Sequence, residues 1–248
     1  MPSACVACRE DTALFPFTMA FQPIVDLTAQ RIDAHEALVR GPSGEGAPSV
    51  LAQVNDSNLY AFDQACRVKA IELAARLGMD TRLNINFLPN AVYDPRACIR
   101  LTLDAAQRTG FPLDRLTFEF IEHERITDSA HILNIIGEYR RHGFLIALDD
   151  FATGYSGLAR LADLKPDIIK LDRDLVRDCD QDRVRLAIVA GMVGLGAEIG
   201  IKVVAEGVER AGEVAALRSA GIRFMQGFCF AKPGFEAITG NAAVCWPD

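Results

Sequence analysis

The stretch "FQPIVDLTAQRIDAHEALVR", residues 21–40, decides how the chain folds. It holds two short apolar runs, each patterned like a strand, with only about four residues (28–31) between them. A parallel crossover needs about a dozen residues or more, so these two strands should pair antiparallel. The rest of the chain follows the opposite rule. The runs "TRLNINFLP", "RLTFEFIE", "FLIALDD", "DIIKLD", "IKVVAEG" and "RFMQGFCF" alternate with longer segments of helical period, among them residues 59–77, 131–142, 183–199 and 210–220. That alternation is the signature of βα repetition on a mainly parallel sheet. Eight strand candidates in about 240 residues match a (βα)8 barrel, which takes about 250. The expected fold is therefore α/β, a TIM-like (βα)8 barrel with one antiparallel strand near the N-terminus.

Composition narrows the function classes. With 248 residues, 50% hydrophobic and 24% charged, the chain is able to bury a large core. A net charge of −7 without any Lys/Arg block argues against binding to a nucleic-acid duplex or an anionic membrane. No apolar run approaches the ~20 residues of a membrane span, and the N-terminus lacks a signal-peptide pattern, so a cytoplasmic location is expected. Seven scattered cysteines suit reduced thiols. Cys5 and Cys8 form a CxxC with no second pair to complete a zinc site. Residues 1–14 read as a partly disordered N-terminal extension, and 15–248 as one domain with no linker inside it.

Polar residues recur where the apolar runs end. Glu36 sits in "HEALVR", Asn86 ends "LNIN", Glu119 and Glu122 punctuate "LTFEFIE", and Asp149 and Asp150 end "LIALDD". Lys170 ends "DIIK", Glu206 ends "KVVAE" and Gln226 ends "RFMQ". Any one of these is ordinarily a turn, cap or surface residue. Their shared position is what matters, because the carboxyl ends of barrel strands converge on one mouth. Carboxylates gathered there repel one another unless protons or cations compensate. An oxygen-rich set without ordered His or Cys suits hard cations such as magnesium or manganese. The adjacent Asp149 and Asp150 would let two such ions share one chain segment, an arrangement that activates water against a phosphate ester. Lys170 supplies a cation in the same layer, and Glu206 a base or a further ligand. Glu209, three residues after Glu206, reads as a residue favouring a helix N-terminus. His35, His123, His131 and His142 share no metal spacing and read as surface or satisfied residues.

At these residues the sequence resembles the EAL domain family, named for a tripeptide that stands here as Glu36-Ala37-Leu38. The segments "FQPIVDL", "EALVR", "NIN", "FEFIE", "DDFATGYSGL", "IIKLD", "AEGVE" and "MQGFCFAKP" occur in family order from about Phe17 to Pro233. The resemblance implies a hydrolase that opens cyclic di-GMP to linear pGpG, using two magnesium or manganese ions per site, with calcium inhibitory. It implies Glu36, Asn86, Glu119 and Asp149 as ligands of the first ion, Asp150 of the second, Lys170 on the attacking water, and Glu206 as base or second-ion ligand. Gln22, Arg40, Asp172, Glu209 and Gln226 fall on the substrate side, Arg40 on phosphate. Glu122 matches the residue that anchors the loop after the aspartates. A homodimer, paired through the helix and loop after the aspartates, is the family default.

Three positions depart from the family pattern. Ala152 replaces the usual Gly after Asp-Asp-Phe, Gly41 the usual Trp, and Leu88 the usual Ser. If position 152 needs positive φ, Ala costs on the order of 1 kcal/mol and loop placement suffers. No implied metal ligand is lost, which favours an active phosphodiesterase over a silent cyclic di-GMP receptor that signals through a protein partner. A lyase of enolase type shares the acids, the Lys and magnesium, but gives no reason for "FQPIV" or "MQGF".

Overall fold

A computed structural model describes residues 14–89, 92, 94–121, 129–151 and 157–247. Cys5, Cys8, Glu122, His123 and residues 152–156, Ala152 among them, lie outside them. The first strand, β1 (Thr18–Asp26), turns directly into β2 (Arg31–Arg40), and the two pair antiparallel with Gln22 opposite Glu36. Local chemistry makes that turn. Asp26 Oδ1 accepts hydrogen bonds from the Thr28 and Ala29 amides at 3.0 and 3.1 Å, an Asx turn, and Gln30 takes a φ of 48°. Arg223 then grips the same carboxylate with Nε and Nη2 at 2.8 and 2.6 Å. These hydrogen bonds hold the Asp26 pKa at about 2 against the opposing effect of burial.

The remaining strands are β3 (Arg82–Asn86), β4 (Leu116–Ile121), β5 (Leu145–Phe151), β6 (Ile168–Leu171), β7 (Lys202–Ala205) and β8 (Phe224–Gln226). They follow one another in parallel from β2 round to β8, and β1 closes the ring, antiparallel to both β8 and β2. The barrel with one inverted strand is thus observed. A ninth strand, β9 (Gly234–Phe235), pairs with the first half of β1 outside the ring. Its two residues carry no periodic signal, so sequence reasoning had nothing to find.

Nine helices lie among the described residues: α1 (Ala47–Leu51), α2 (Leu59–Arg76), α3 (Pro95–Cys98), α4 (Arg100–Thr109), α5 (Ser129–Arg141), α6 (Gly157–Leu164), α7 (Arg173–Val176), α8 (Arg183–Ile199) and α9 (Ala211–Ser219). Asp182 caps α8 by accepting from the Val184 and Arg185 amides, and Gly200 ends it in the left-handed conformation at φ 73°. None of the helices is long and apolar enough to cross a membrane. Expected to be amphipathic, α8 instead keeps Val184, Ile188 and Ile199 exposed on its outer side.

Strand alternation divides the core. Phe118, Phe120, Ile146, Leu148, Ile169 and Leu171 pack outward into the main cluster with the helices. Ile24, Ala34, Ala147, Ile168 and Val204 form a separate apolar layer inside the barrel. Two residues toward the mouth on each of those strands stand Gln22, Glu36, Asp149, Lys170 and Glu206. A period of two puts them on the same inward face, so the apolar layer is the floor of the polar one.

Candidate functional site

Lys170 is buried at the centre of the polar layer, with its Nζ 2.6 Å from Glu206 Oε1, 2.8 Å from Glu119 Oε2, 3.2 Å from Glu36 Oε2 and 3.3 Å from Asp149 Oδ1. These five residues come from β2, β4, β5, β6 and the end of β7, so only the closed barrel assembles them. Burial opposes the charge on Lys170, but the four carboxylates outweigh it and raise its pKa well above the ordinary lysine value.

Amides orient the acids. Asn86 Nδ2 donates to Glu36 Oε1 at 2.9 Å, and Gln226 Nε2 to Glu36 Oε2 at 2.8 Å and to Gln22 Oε1 at 3.2 Å. Gln22 in turn donates to the Ala231 carbonyl at 3.1 Å. Asn84, two residues before Asn86 on the same face, donates to Glu119 Oε1 at 2.6 Å. That role was missed, although the i−2 spacing signalled a second inward amide.

One cation among so many acids leaves negative charge uncompensated. Burial raises the Glu119 pKa to about 8 with help from Glu36 and Asp149, and lifts that of Glu206 well above the usual carboxylate range. Burial, then Asp149 and Asp172, raise Asp150 to about 6. Glu36 is the exception: burial pushes it up, but Lys170, Gln226 and Asn86 together bring it below its ordinary value.

The acids form two groups of three, Glu36 with Glu119 and Asp149, and Asp149 with Asp150 and Glu206, each offering oxygens within 4.8 Å of one another. Asp149 belongs to both. Its Oδ1 is buried, with an ion-pair contact to Lys170 but no hydrogen-bond donor. An oxygen-only donor set with an unsatisfied shared carboxylate fits hard divalent cations. A third acidic group, Asp178, Asp180 and Glu213, is filled by the Arg210 guanidinium at 2.9, 2.6 and 3.1 Å.

The two aspartates reach these positions through an irregularity. The β5–β6 register shifts between Leu148 and Phe151, and Asp150 takes a φ of 52°. Asp tolerates the left-handed region better than most residues because its short side chain bonds locally. Positive φ was suspected at Ala152; among the described residues of this segment it falls on Asp150.

Gln22, Glu36, Asp150, Asp172, Glu206, Glu209 and Gln226 line a cleft of about 310 Å³ with Leu38, Arg173, Gly207, Gly227 and Phe228. A larger cavity, about 660 Å³, opens at the other end of the barrel beside Arg31, Asp80, Arg82 and Asp114, away from both acid groups. His35 lies there buried, its ring nitrogens satisfied by Thr81 Oγ1 and the Thr239 carbonyl. Arg40 is half-buried at the end of β2 with Nη1 on the neighbouring Val39 carbonyl, and it does not line the cleft. Asp172 Oδ1 caps α7 by accepting from Asp174 N at 2.7 Å. Glu209 does not cap a helix; Glu213 does, accepting from the Glu209 and Arg210 amides. Glu209 pairs with Arg173 at 2.7 Å instead. Sequence reasoning missed Arg173 and Phe228, since neither ends a strand.

The EAL domain family model matches residues 9–233. A crystal structure of a standalone EAL protein from Vibrio cholerae O395, with c-di-GMP bound, superposes with a TM-score of 0.89 at 50% identity over 92% of this chain and 97% of that one. Klebsiella pneumoniae BlrP1, in a manganese and cyclic di-GMP complex, gives 0.85 at 36% identity, over 90% of this chain and 57% of that one. The antirepressor BluF of Escherichia coli K12 is 30% identical over 92% of this chain, and PdeR of the same organism, a cyclic di-GMP phosphodiesterase, 35% over 63%. This chain spans 56% of BluF and 23% of PdeR. With the family model matched over most of its length and the fold shared, the chain belongs to the EAL domain family.

Proposed function

We propose that the protein is a metal-dependent phosphodiesterase that hydrolyses cyclic di-GMP to linear 5'-pGpG. The observation that carries this reading is the pair of carboxylate triads sharing Asp149 around one buried lysine. It gains support from the c-di-GMP-bound relatives and from PdeR, a phosphodiesterase of this substrate. Glu36, Asn86, Glu119 and Asp149 would hold one magnesium or manganese ion, and Asp149, Asp150 and Glu206 the other. When bound, the two ions neutralise charge on the phosphate and acidify the attacking water.

The residues divide the remaining work. Lys170 holds the attacking water, and Glu206, whose Oε1 lies 2.6 Å from the Lys170 Nζ, takes the water's proton. Water adds to phosphorus and the ring's 3′ oxygen leaves with a proton, so one phosphoester bond is exchanged for one hydroxyl. Gln22, Gln226, Asp172 and Glu209 face the substrate from the cleft walls, and Arg40 reaches the phosphate after leaving the Val39 carbonyl. Calcium, larger and less suited to a tight pair of sites, inhibits. A homodimer is supported by apolar side chains left uncovered, Leu158 on α6 at 63% exposure and Val184 on α8 at 69%. Glu122 keeps its assignment as loop anchor.

The test is incubation with cyclic di-GMP and Mg²⁺ or Mn²⁺, following linear product. Product with either ion, and none with Ca²⁺, is the expected result. A second reading, a silent receptor acting through a partner protein, takes support from the likeness to the antirepressor BluF. Binding of cyclic di-GMP without turnover at any metal concentration would decide for that reading.

A further inference from the structure

Outside the barrel, α2 carries an ion pair that is fully buried. Asp63 and Arg67 are 3% and 0% exposed, one helical turn apart, and Arg67 Nη2 donates to Asp63 Oδ2. Arg67 Nη1 donates to the Tyr139 hydroxyl of α5 at 2.7 Å. The other Asp63 oxygen, Oδ1, accepts from the backbone amide of Leu88 at 2.9 Å. The guanidinium stands 5.4 Å from the Phe87 ring centroid and 5.7 Å from that of Phe118.

Three of these partners, Leu88, Phe87 and Phe118, stand one or two residues from Asn86 or Glu119 in the acid site. Phe87 follows Asn86 and Phe118 precedes Glu119, so strand alternation turns the rings outward and the polar side chains inward. Asn86 and Glu119 are the last paired residues between β3 and β4, and Leu88 lies beyond that ladder. A buried ion pair is a poor source of stability, because well-packed apolar residues do as well without the desolvation cost. What apolar residues cannot supply is a directed acceptor for the Leu88 amide where the ladder has ended. We propose that Asp63 and Arg67 are positioning residues: through Leu88, Phe87 and Phe118 they fix where Asn86 and Glu119 present their oxygens to a divalent cation. This inference rests on the cation reading of the preceding section.

Two double variants isolate the directed bond. Asp63→Asn with Arg67→Met keeps an acceptor for the Leu88 amide and buries no charge; Asp63→Leu with Arg67→Met removes the acceptor as well. Mn²⁺ binding is measured by calorimetry without substrate, beside thermal unfolding in chelator and the kcat and KM for cyclic di-GMP. The Asn variant is expected to bind Mn²⁺ within about threefold of the unaltered protein, and the Leu variant about 10- to 100-fold more weakly. The Leu variant should lower kcat while KM stays within about twofold. Leu88→Pro, which deletes the amide hydrogen and leaves the ion pair, should weaken Mn²⁺ in the same way, and it carries the test if the Leu variant does not fold. Equal Mn²⁺ affinity in the Asn and Leu variants, or unchanged affinity in Leu88→Pro, overturns the proposal. Absence of Mn²⁺ binding by the unaltered protein overturns the cation reading and this inference with it.

Discussion

Asp149 and Asp150 are consecutive residues, yet only Asp149 offers an oxygen to both carboxylate triads. Substitutions at the two positions should therefore differ in kind. Asp150→Asn, in which Asn still accepts the left-handed φ of 52°, is expected to keep the fold, lose one of the two Mn²⁺ proposed per chain and slow the proposed turnover on the order of 100-fold. Asp149→Asn should lose both ions. Calorimetric stoichiometry reads this directly, and two ions retained by both variants would contradict the shared-ligand arrangement.

Lys170 is the buried cation on which four carboxylates converge. Lys170→Met should destabilise the metal-free protein by about 3–5 kcal/mol, because it strands buried charge. The loss should be smaller at pH 6 than at pH 8, since Glu119 already titrates at about 8 and is protonated at the lower value. Saturating Mn²⁺ should restore much of the deficit, as any ligand of the native state does. Denaturant unfolding with and without chelator checks all three expectations.

The Asp26 carboxylate anchors the turn that starts the barrel, with its pKa held at about 2 by Arg223. A depressed acid stabilises the native state above its unfolded pKa near 3.8, and that contribution is lost as pH falls through about 2. Asp26→Asn keeps the Asx turn but not the ion pair. It should cost about 1 kcal/mol at neutral pH, a modest figure because Arg223 is half exposed, and the gap should close as pH approaches 2. A gap that stays constant down to that pH would mean the ion pair contributes nothing.

Two glycines at the cleft should respond differently to alanine. A Cβ at Gly227 would fall 2.0 Å from the Val208 carbonyl oxygen, where only backbone movement gives relief. The expected loss is about 3 kcal/mol of stability. At Gly207, with φ 64°, the Cβ would meet the Arg173 side chain at 2.5 Å. Strain there costs about 1–2 kcal/mol and displaces Arg173 from Glu209, so KM for cyclic di-GMP should change more than the fold does. Thermal unfolding and steady-state kinetics on both variants separate the two effects.

Residues that end strands were legible in the sequence because a barrel places strand ends together. Glu36, Asn86, Glu119, Asp149, Lys170, Glu206 and Gln226 group together by their place in the apolar runs, and the short connection at 28–31 announced the inverted strand. What stayed hidden depends on contacts between elements. Asp63 and Arg67 look like an ordinary i,i+4 surface pair until packing against Phe87 and Phe118 buries them. Arg173 begins a helix of four residues, and nothing in the sequence says that it leans over Gly207. The Arg40 side chain, expected on the cleft, turns to a carbonyl beside it, a preference decided by rotamer and not by motif.

The bond between Gln226 and Glu36 spans 190 positions of chain. On a ribosome, Glu36 emerges long before the strand that will supply its partner, and a nascent barrel lacking β8 has an open seam where the site should be. The polar layer around Lys170 is then withheld from any translation product that lacks β8. The site therefore arrives with the last strand of the ring and not by degrees.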